Sequence, residues 1–195
     1  MDTYVYKVGN NIYINLTNAC TNNCSFCIRS NCSTAYSYNL WLSKEPTAEE
    51  VIKDLKKFEN YGEAVFCGYG EPTVKLNEII KICEYLKSIK KTVRLDTNGQ
   101  GNLINGFNIV PKLIGKVDKV SISLNASNGK DYQKLCGSNF VNAYSEVLNF
   151  ARLCVKSFDT TLTVLDFLSK DEIEKCRKIA ADMGAKFRVR AFEKD

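Results

Sequence analysis

Histidine is absent from the 195 residues of this chain. Its absence removes the side chain that most often acts as a general base near neutral pH, and also the commonest nitrogen ligand of zinc. The sequence also lacks an apolar run long enough to span a membrane, an internal repeat and a low-complexity tract. We therefore expect a single domain over residues 1–195, without a membrane partner, whose acid–base chemistry depends on carboxylate, lysine, tyrosine or cysteine side chains.

Basic residues exceed acidic ones only slightly, and the net charge of +5 is too small to indicate a dedicated nucleic-acid-binding protein. The first residues do not show the basic-then-apolar pattern of a secretory signal. We therefore expect a cytoplasmic protein whose nine cysteines remain reduced. Because their number is odd and their spacing irregular, metal binding and simple burial are the two explanations for them.

Strand and helix patterns alternate along the chain. Thr47 and Glu50 form a capping-box pattern at the start of an amphipathic helix that runs to Phe58. The predicted strands are 4–7, 12–16, 64–67, 92–96, 119–124, 160–165 and 187–192, and the further helices are 76–89, 109–114, 141–156 and 171–183. Six strands that alternate with helices predict an α/β fold, a partial (β/α)6 barrel with mostly parallel strands and an N-terminal hairpin.

Several predicted strands carry one polar face. Arg94 alternates with apolar residues in one strand, Ser121 and Ser123 do so in another, and Arg188 and Arg190 in the last. Strands of a fully buried parallel sheet are nearly all apolar, so these polar positions need a reason. If helices cover the apolar side, the polar side lines an open lumen that holds a polar, charged ligand. An antiparallel sheet with one wet side is the alternative.

Three cysteines follow the second predicted strand at the spacing C-x3-C-x2-C, namely Cys20, Cys24 and Cys27. Three thiolates can hold three corners of a four-iron cluster and leave the fourth iron open to a substrate or cofactor. One alternative is a zinc site with a fourth ligand such as Cys32, and the other is three unrelated buried thiols.

The cysteine spacing, Phe26 before the last cysteine and the preceding apolar strand together resemble the radical S-adenosylmethionine (radical SAM) superfamily. The resemblance implies a 4Fe–4S cluster on Cys20, Cys24 and Cys27, whose open iron binds the amino and carboxylate groups of SAM. It also implies that an electron from the cluster cleaves SAM to a 5'-deoxyadenosyl radical. In this family Phe26 would lie near the adenine of SAM.

The same resemblance supplies further candidate residues. The run Gly68-Tyr69-Gly70-Glu71-Pro72 is similar to the family's Gly-Gly-Glu-Pro motif, whose backbone and acid hold the SAM amino group, although Tyr69 departs from that motif. Polar residues at strand ends contact the SAM ribose and carboxylate in the family, and a late arginine can pair with a carboxylate. The predicted cofactor-binding residues are Phe26, Gly68, Gly70, Glu71, Asn98, Ser123, Asn125 and Arg190. Ordinary turns, strand caps and a structural ion pair are the alternatives.

Cys136 is the candidate catalytic residue. The sequence predicts that it lies in a loop at 135–138 on the barrel rim, where a thiol can deliver a hydrogen atom to a substrate radical; an incidental loop thiol is the alternative. Four other cysteines are predicted to be small core residues, namely Cys67, Cys83, Cys154 and Cys176. Residues 32–42 are predicted to form either a lid over the cluster or a packed loop.

The resemblance extends almost end to end, through stretches such as 12–18, 65–73 and 94–100, to the small TatD-associated radical SAM proteins. It implies hydrogen abstraction from an unidentified polar substrate, small or macromolecular, with electrons from a donor such as flavodoxin or ferredoxin. It also implies a functional link to a TatD-type nuclease. A glycyl-radical activase that acts on a protein partner is the alternative among enzymes, and a zinc-stabilised interaction domain is the alternative from another class.

Overall fold

A computed structural model describes residues 2–31 and 37–192. Its centre is one seven-stranded sheet whose spatial order follows the chain. The strands are β1 (Val5–Val8), β2 (Asn11–Ile14), β3 (Glu63–Phe66), β4 (Thr92–Thr97), β5 (Lys119–Ser123), β6 (Asp159–Leu165) and β7 (Lys186–Arg190). β1 and β2 form an antiparallel hairpin, and every later pairing is parallel. The edge strands do not pair with each other in this sheet, so the α/β fold with an open, mostly parallel sheet and an N-terminal hairpin is confirmed.

Helices connect the parallel strands. They are α1 (Ile28–Asn31), α2 (Ala48–Leu55), α3 (Leu76–Ser88), α4 (Gly101–Asn105), α5 (Val110–Leu113), α6 (Gly129–Cys136), α7 (Ala143–Cys154) and α8 (Lys170–Met183), with a 3-10 turn at Pro72–Lys75. α2 begins with the predicted capping box, in which the Thr47 and Glu50 side chains each accept a hydrogen bond from the other residue's backbone N–H. The short helices α1, α4 and α6 were not predicted. None of the described helices is long and apolar enough to cross a membrane.

The two faces of the sheet differ in polarity as the sequence predicts. On β4, Val93 and Leu95 are fully buried among helix side chains, whereas Arg94 and Asp96 point to the other face and pair there. The same alternation places Ser121 and its neighbours on the polar face. Because the pairings are parallel, the alternative of an antiparallel sheet with one wet side is wrong. The polar face of this curved sheet is the open lumen.

No disulfide joins any two of the eight described cysteines. The core prediction is confirmed for Cys83, Cys154 and Cys176, which are fully buried in helices α3, α7 and α8. It is wrong for Cys67, which borders the cavity at the carboxyl ends of the strands. The reason is the strand period of two: Cys67 follows a strand in which Ala64 and Phe66 occupy the helix-covered face. Cys32 and the first part of the predicted lid, residues 32–36, lie outside the described residues.

Candidate active site

A cavity of about 160 Å³ opens at the carboxyl ends of the parallel strands. Two of the three motif cysteines, Cys20 and Cys24, line it, and half-buried Cys27 follows them in the same loop. All eight residues predicted to bind the cofactor also line this cavity, namely Phe26, Gly68, Gly70, Glu71, Asn98, Ser123, Asn125 and Arg190. The structure therefore brings together residues that are distant in the sequence: Cys20 and Arg190 line the same cavity although 170 positions separate them.

Hydrogen bonds fix the loop that carries the cysteines. The Asn22 N–H donates to Cys20 Sγ at 3.4 Å, and the Arg29 guanidinium donates to the carbonyl oxygens of Asn18 and Asn22 at 2.9 and 3.4 Å. The Asn98 amide donates to Thr21 Oγ1 at 3.0 Å. Donors directed at a sulfur or at the ligand loop are the groups that orient a metal centre and tune its potential.

Burial raises the pKa of the Cys20 thiol to about 11 and also raises that of Cys27, whereas the pKa of Cys24 is raised first by a hydrogen bond with the Cys136 thiol and then by burial. Buried thiols of this kind ionise when a metal takes the place of the proton. Among the described residues, no three histidine, cysteine, aspartate or glutamate side chains lie close enough to hold one metal ion. A four-iron cluster requires a wider spacing, because each thiolate binds a different iron. Three soft thiols in one loop without histidine fit an iron–sulfur cluster.

The Gly68–Glu71 loop lies against the start of the cysteine loop at very short range. A Cβ on Gly70 would be 2.4 Å from the Thr17 carbonyl oxygen and 2.5 Å from that of Ala19, and the Glu71 N–H donates to the latter oxygen at 2.8 Å. A Cβ on Gly68 would be 2.1 Å from Asn15 Oδ1. Only glycine permits this approach at both positions, so the loop is more than an ordinary tight turn.

Glu71 is a buried carboxylate at the cavity wall. Its Oε1 accepts hydrogen bonds from the Thr73 N–H, the Thr73 hydroxyl and the Thr97 hydroxyl, and its Oε2 accepts one from the Asn98 N–H at 2.7 Å. Burial raises the pKa of Glu71, and no lysine or arginine pairs with it in the described part of the chain. Oε2 retains a lone pair, so the site fits a cationic ligand group such as an amino group.

Asn125 also lines the cavity, in a left-handed conformation with φ of 60°. Asparagine tolerates this region better than most residues. Its Nδ2 donates to Cys136 Sγ at 3.4 Å, whereas its buried Oδ1 has no partner among the described residues. A ligand hydroxyl would satisfy this acceptor. Phe26 packs against the ring of Phe167, with centroids 5.4 Å apart, and presents an apolar surface to the same cavity.

The predicted loop position of Cys136 is wrong. Cys136 is the last residue of α6, its side chain is fully buried, and it does not line the cavity. Its thiol instead hydrogen-bonds with that of Cys24, and its carbonyl oxygen accepts from the Asn23 N–H at 2.9 Å. The burial of this thiol does not favour the predicted role of hydrogen-atom donor, so that role is not part of the proposed function.

Gln100 is a functional neighbour that the sequence did not single out. It is fully buried, its Nε2 donates to Asn22 Oδ1 at 2.7 Å and to the Tyr132 hydroxyl at 2.9 Å, and its Oε1 accepts from Thr21 at 2.8 Å and from Ser138 at 3.1 Å. One side chain thus joins the cysteine loop to α6. No local pattern marks such a residue, because all of its partners are distant in the sequence.

We expect Gln100→Ala to lower the free energy of unfolding by about 1–3 kcal/mol, since truncation leaves several buried polar groups without partners. The iron-loaded protein should also lose iron faster to a chelator. Gln133→Ala is the control for loss of a glutamine side chain, because Gln133 is exposed on α6 and its Nε2 donates one hydrogen bond, to the Ser138 carbonyl oxygen at 2.9 Å. Urea denaturation and chelator kinetics measure the two effects. If the two variants had the same free energy of unfolding and the same rate of iron loss, Gln100 would not hold the cysteine loop.

Asp96 is a further residue of the cavity wall. The Arg94 guanidinium donates to its two carboxylate oxygens at 2.8 and 3.0 Å, and Arg94 also pairs with Glu63 at 3.0 Å. Burial nevertheless raises the pKa of Asp96 to about 6, against the opposing charges of Arg94, Arg190 and Arg188.

This pKa predicts a pH dependence of stability. The folded protein binds more protons than the unfolded chain between the ordinary aspartate pKa of 3.8 and about 6, so the contribution of Asp96 to stability falls as pH rises through that range. Relative to Asp96→Asn, the wild-type free energy of unfolding should fall by about 2–3 kcal/mol between pH 4 and pH 7. Denaturation curves of both proteins across these pH values measure the difference. A difference that is constant or grows would refute the raised pKa.

Comparison with known proteins identifies the family. A family model described as "Radical SAM superfamily" matches residues 14–180. The chain belongs to the radical SAM superfamily. Enzymes of this superfamily use a 4Fe–4S cluster and SAM, and the thiols and polar groups described above fit both.

The chain is also similar to one curated protein and to several solved structures. The chain is 26% identical over 177 residues to a Thermococcus kodakarensis protein named "Probable GTP 3',8-cyclase". The aligned residues cover 89% of this chain and 54% of the relative. The chain therefore spans about half the length of that curated relative. Among solved structures, Streptococcus suis SuiB bound to precursor peptide SuiA has a TM-score of 0.69 at 14% identity, with 97% of this chain and 40% of SuiB covered. TYW1 with a bound lysine-pyruvate adduct has a TM-score of 0.66 at 15% identity, over 94% and 65%. At such identities these two structures support the fold alone.

Proposed function

We propose that this radical SAM protein is a cytoplasmic oxidoreductase that binds a 4Fe–4S cluster through Cys20, Cys24 and Cys27, cleaves SAM and abstracts a hydrogen atom from a polar substrate. The observation that supports this most strongly is the single cavity that eight predicted cofactor residues share with two of the three cysteines. When bound, the cluster and SAM together supply the electron and the 5'-deoxyadenosyl radical.

The residues of the chain have separate tasks in this proposal. Glu71 and the backbone of the Gly68–Gly70 segment hold the amino group of SAM, because the Glu71 carboxylate is buried without a cation. Asn125 and Ser123 form hydrogen bonds with the ribose hydroxyls. Asn125 Oδ1 accepts one of them, since it lacks a partner among the described residues. Phe26 covers the adenine, and Asn98 steadies the cysteine loop through Thr21. The polar face of the sheet, which includes Arg94 and Asp96, favours a polar substrate.

The partners that complete the reaction are also proposals. A flavodoxin or ferredoxin would supply the electron, and the resemblance to the TatD-associated group favours a functional link to a TatD-type nuclease. The curated relative is named for a reaction on GTP. The chain spans only about half of that protein, so the similarity does not carry GTP over as the substrate of this chain.

Anaerobic reconstitution with iron and sulfide tests the proposal. We expect a brown protein with about four irons per chain that converts SAM to methionine and 5'-deoxyadenosine once it is reduced. A colourless protein that binds zinc and does not cleave SAM would favour the zinc-stabilised interaction domain. Transfer of a stable radical to a glycine of a partner protein would favour the glycyl-radical activase.

A further inference from the structure

A second cavity, of about 290 Å³, opens on the polar face of the sheet. In the described part of the chain it shares no lining residue with the cavity proposed for SAM, which we call the cofactor cavity. Its wall includes the first residues of β3, β5, β6 and β7, namely Glu63, Lys119, Asp159 and Lys186. The second cavity therefore lies toward the amino ends of the strands, and none of the proposed cofactor contacts uses it.

The wall of the second cavity carries more positive than negative charge. Its basic residues are Arg94, Lys119, Lys186 and Arg188, and its acids are Glu63 and Asp159. Glu63 pairs with Arg94 at 3.0 Å and with Lys119 at 2.6 Å, and Asp159 pairs with Lys186 at 2.8 Å. Arg188 has neither an ion pair nor a hydrogen bond among the described residues. Both acids are thus already bound, and an anionic ligand would balance the charge that remains.

Two hydroxyl groups lie beside these charges. The strand register places Ser121 opposite Thr161 and Thr161 opposite Lys186, so two hydroxyls and an ammonium group form one row across β5, β6 and β7. Neither hydroxyl has a hydrogen-bond partner in the described part of the chain. Arg188 follows Lys186 on the same face of β7, because side chains alternate along a strand. Hydroxyl, ammonium and guanidinium groups together are donors that suit an oxyanion.

The connections that lead from helices into these strands are rich in lysine. Segments 56–62, 89–91, 114–118 and 155–158 contain six lysines and only two acids. These segments join the sheet at the amino ends of β3, β4, β5 and β6, where the second cavity opens. A positive potential at this end of the sheet raises the local concentration of anions and speeds their association with the cavity.

The second cavity and the cofactor cavity are neighbours along the strands. On β4, Arg94 lines the second cavity, and Asp96, which accepts its hydrogen bond at 2.8 Å, lines the cofactor cavity. On β5, Ser121 and Ser123 are divided between the two cavities in the same way. Two residues along a strand correspond to about 6–7 Å. A ligand held in the second cavity therefore needs to extend by only about one such step to reach the cofactor cavity.

We propose that the second cavity binds a phosphate group of the substrate, with Arg188, Ser121 and Thr161 as contacts and Lys186 as a neighbouring charge. Phosphate suits this row better than carboxylate does, because it offers more acceptor oxygens to donors from three strands. The role in the substrate rests on the proposed radical SAM function, whereas anion binding itself does not. The substrate class is then a phosphorylated molecule, whose remainder extends toward the cofactor cavity.

Phosphate binding to the reconstituted protein tests the assignment. Inorganic phosphate and acetate are titrated separately by calorimetry, under anaerobic conditions and at one ionic strength, with and without SAM. We expect phosphate to bind the wild type more tightly than acetate does, and equally well in the presence of SAM. Arg188→Gln should weaken phosphate binding at least about tenfold and Arg188→Lys less. The double variant Ser121→Ala/Thr161→Val should weaken it at least about threefold.

Arg152→Gln is the matched control, since Arg152 is exposed on α7 and donates to Asn149 at 3.1 Å, away from the second cavity. It should bind phosphate as the wild type does. Thermal denaturation and iron content of each variant reveal any folding defect, and Arg188 is exposed, so its exchange for glutamine should leave the fold intact.

Four results would overturn the assignment. They are no phosphate binding to the wild type, equal binding by Arg188→Gln, tighter binding of acetate than of phosphate, and loss of phosphate binding when SAM is present. The last result would place the anion in the cofactor cavity. Failure of the proposed function is distinguishable from these, as a wild-type protein that binds phosphate but takes up no iron and cleaves no SAM.

Discussion

Cys20→Ala should leave a folded protein that no longer assembles a four-iron cluster and no longer cleaves SAM. Cys20 lines the cavity and receives a hydrogen bond from the Asn22 N–H, so its loss opens a second iron and removes the anchor at the start of the loop. Loss of a residue that merely orients a metal ligand usually costs 10–100-fold, so loss of the ligand itself should lower SAM cleavage by at least about 100-fold. Iron analysis and chromatographic detection of 5'-deoxyadenosine measure both effects.

Cys83→Ala is the matched control for this experiment. Cys83 is a fully buried free thiol within α3 and does not line the cavity. The substitution removes one sulfur from the core and should keep the full iron content and SAM cleavage. If Cys20→Ala retained cleavage at the wild-type rate, the assignment of the three ligands would be wrong.

Gly70→Ala should have the second largest effect. Its new Cβ would meet the carbonyl oxygens of Thr17 and Ala19 at 2.4 and 2.5 Å, and both are backbone atoms that cannot move aside alone. We expect a loss of about 1–3 kcal/mol in the free energy of unfolding, as for other overpacked positions, and at least about tenfold weaker SAM binding because the Glu71 loop shifts. Denaturation curves and SAM titration of the reconstituted protein measure these changes.

Gly129→Ala controls for the exchange of glycine for alanine. A Cβ on Gly129 would be 3.7 Å from the Tyr144 side chain, an ordinary contact, and Gly129 begins α6 without a left-handed conformation. This variant should match the wild type or gain slightly in stability. Unchanged SAM binding by Gly70→Ala would mean that the loop does not depend on its close approach to the cysteine loop.

Local pattern was sufficient for most of the fold. Strand alternation and the Thr47–Glu50 capping box predicted the parallel sheet, the polar lumen and the start of α2, because these features repeat within a few residues. The short helix α6 was not predicted, although it has a capping residue: Asn128 Oδ1 accepts a hydrogen bond from the Asp131 N–H at 3.0 Å. Without that helix, Cys136 was placed in a rim loop instead of the interior.

Site residues could be predicted from the sequence only where they belong to a recognisable motif. The cysteine spacing and the glycine-rich loop led to residues that the structure places on one cavity. Gln100 and Cys67 were missed for different reasons. Gln100 is defined by four distant partners, which no sequence window contains, whereas Cys67 could have been found from the strand period that separates it from Phe66. The absence of an ion pair at Arg190 in the described part of the chain was likewise not visible in the sequence, because it depends on the pairing of Asp96 with Arg94 two residues earlier on the same strand.

Electron paramagnetic resonance of the reconstituted, dithionite-reduced protein tests the central claim most directly, because it reports on the iron that the three cysteines leave open. We predict a signal from a reduced four-iron cluster that changes when SAM is added, since SAM would bind that iron. In Cys20→Ala the signal should be absent. A reduced protein without a paramagnetic iron signal, or a signal that SAM leaves unchanged, would contradict the account.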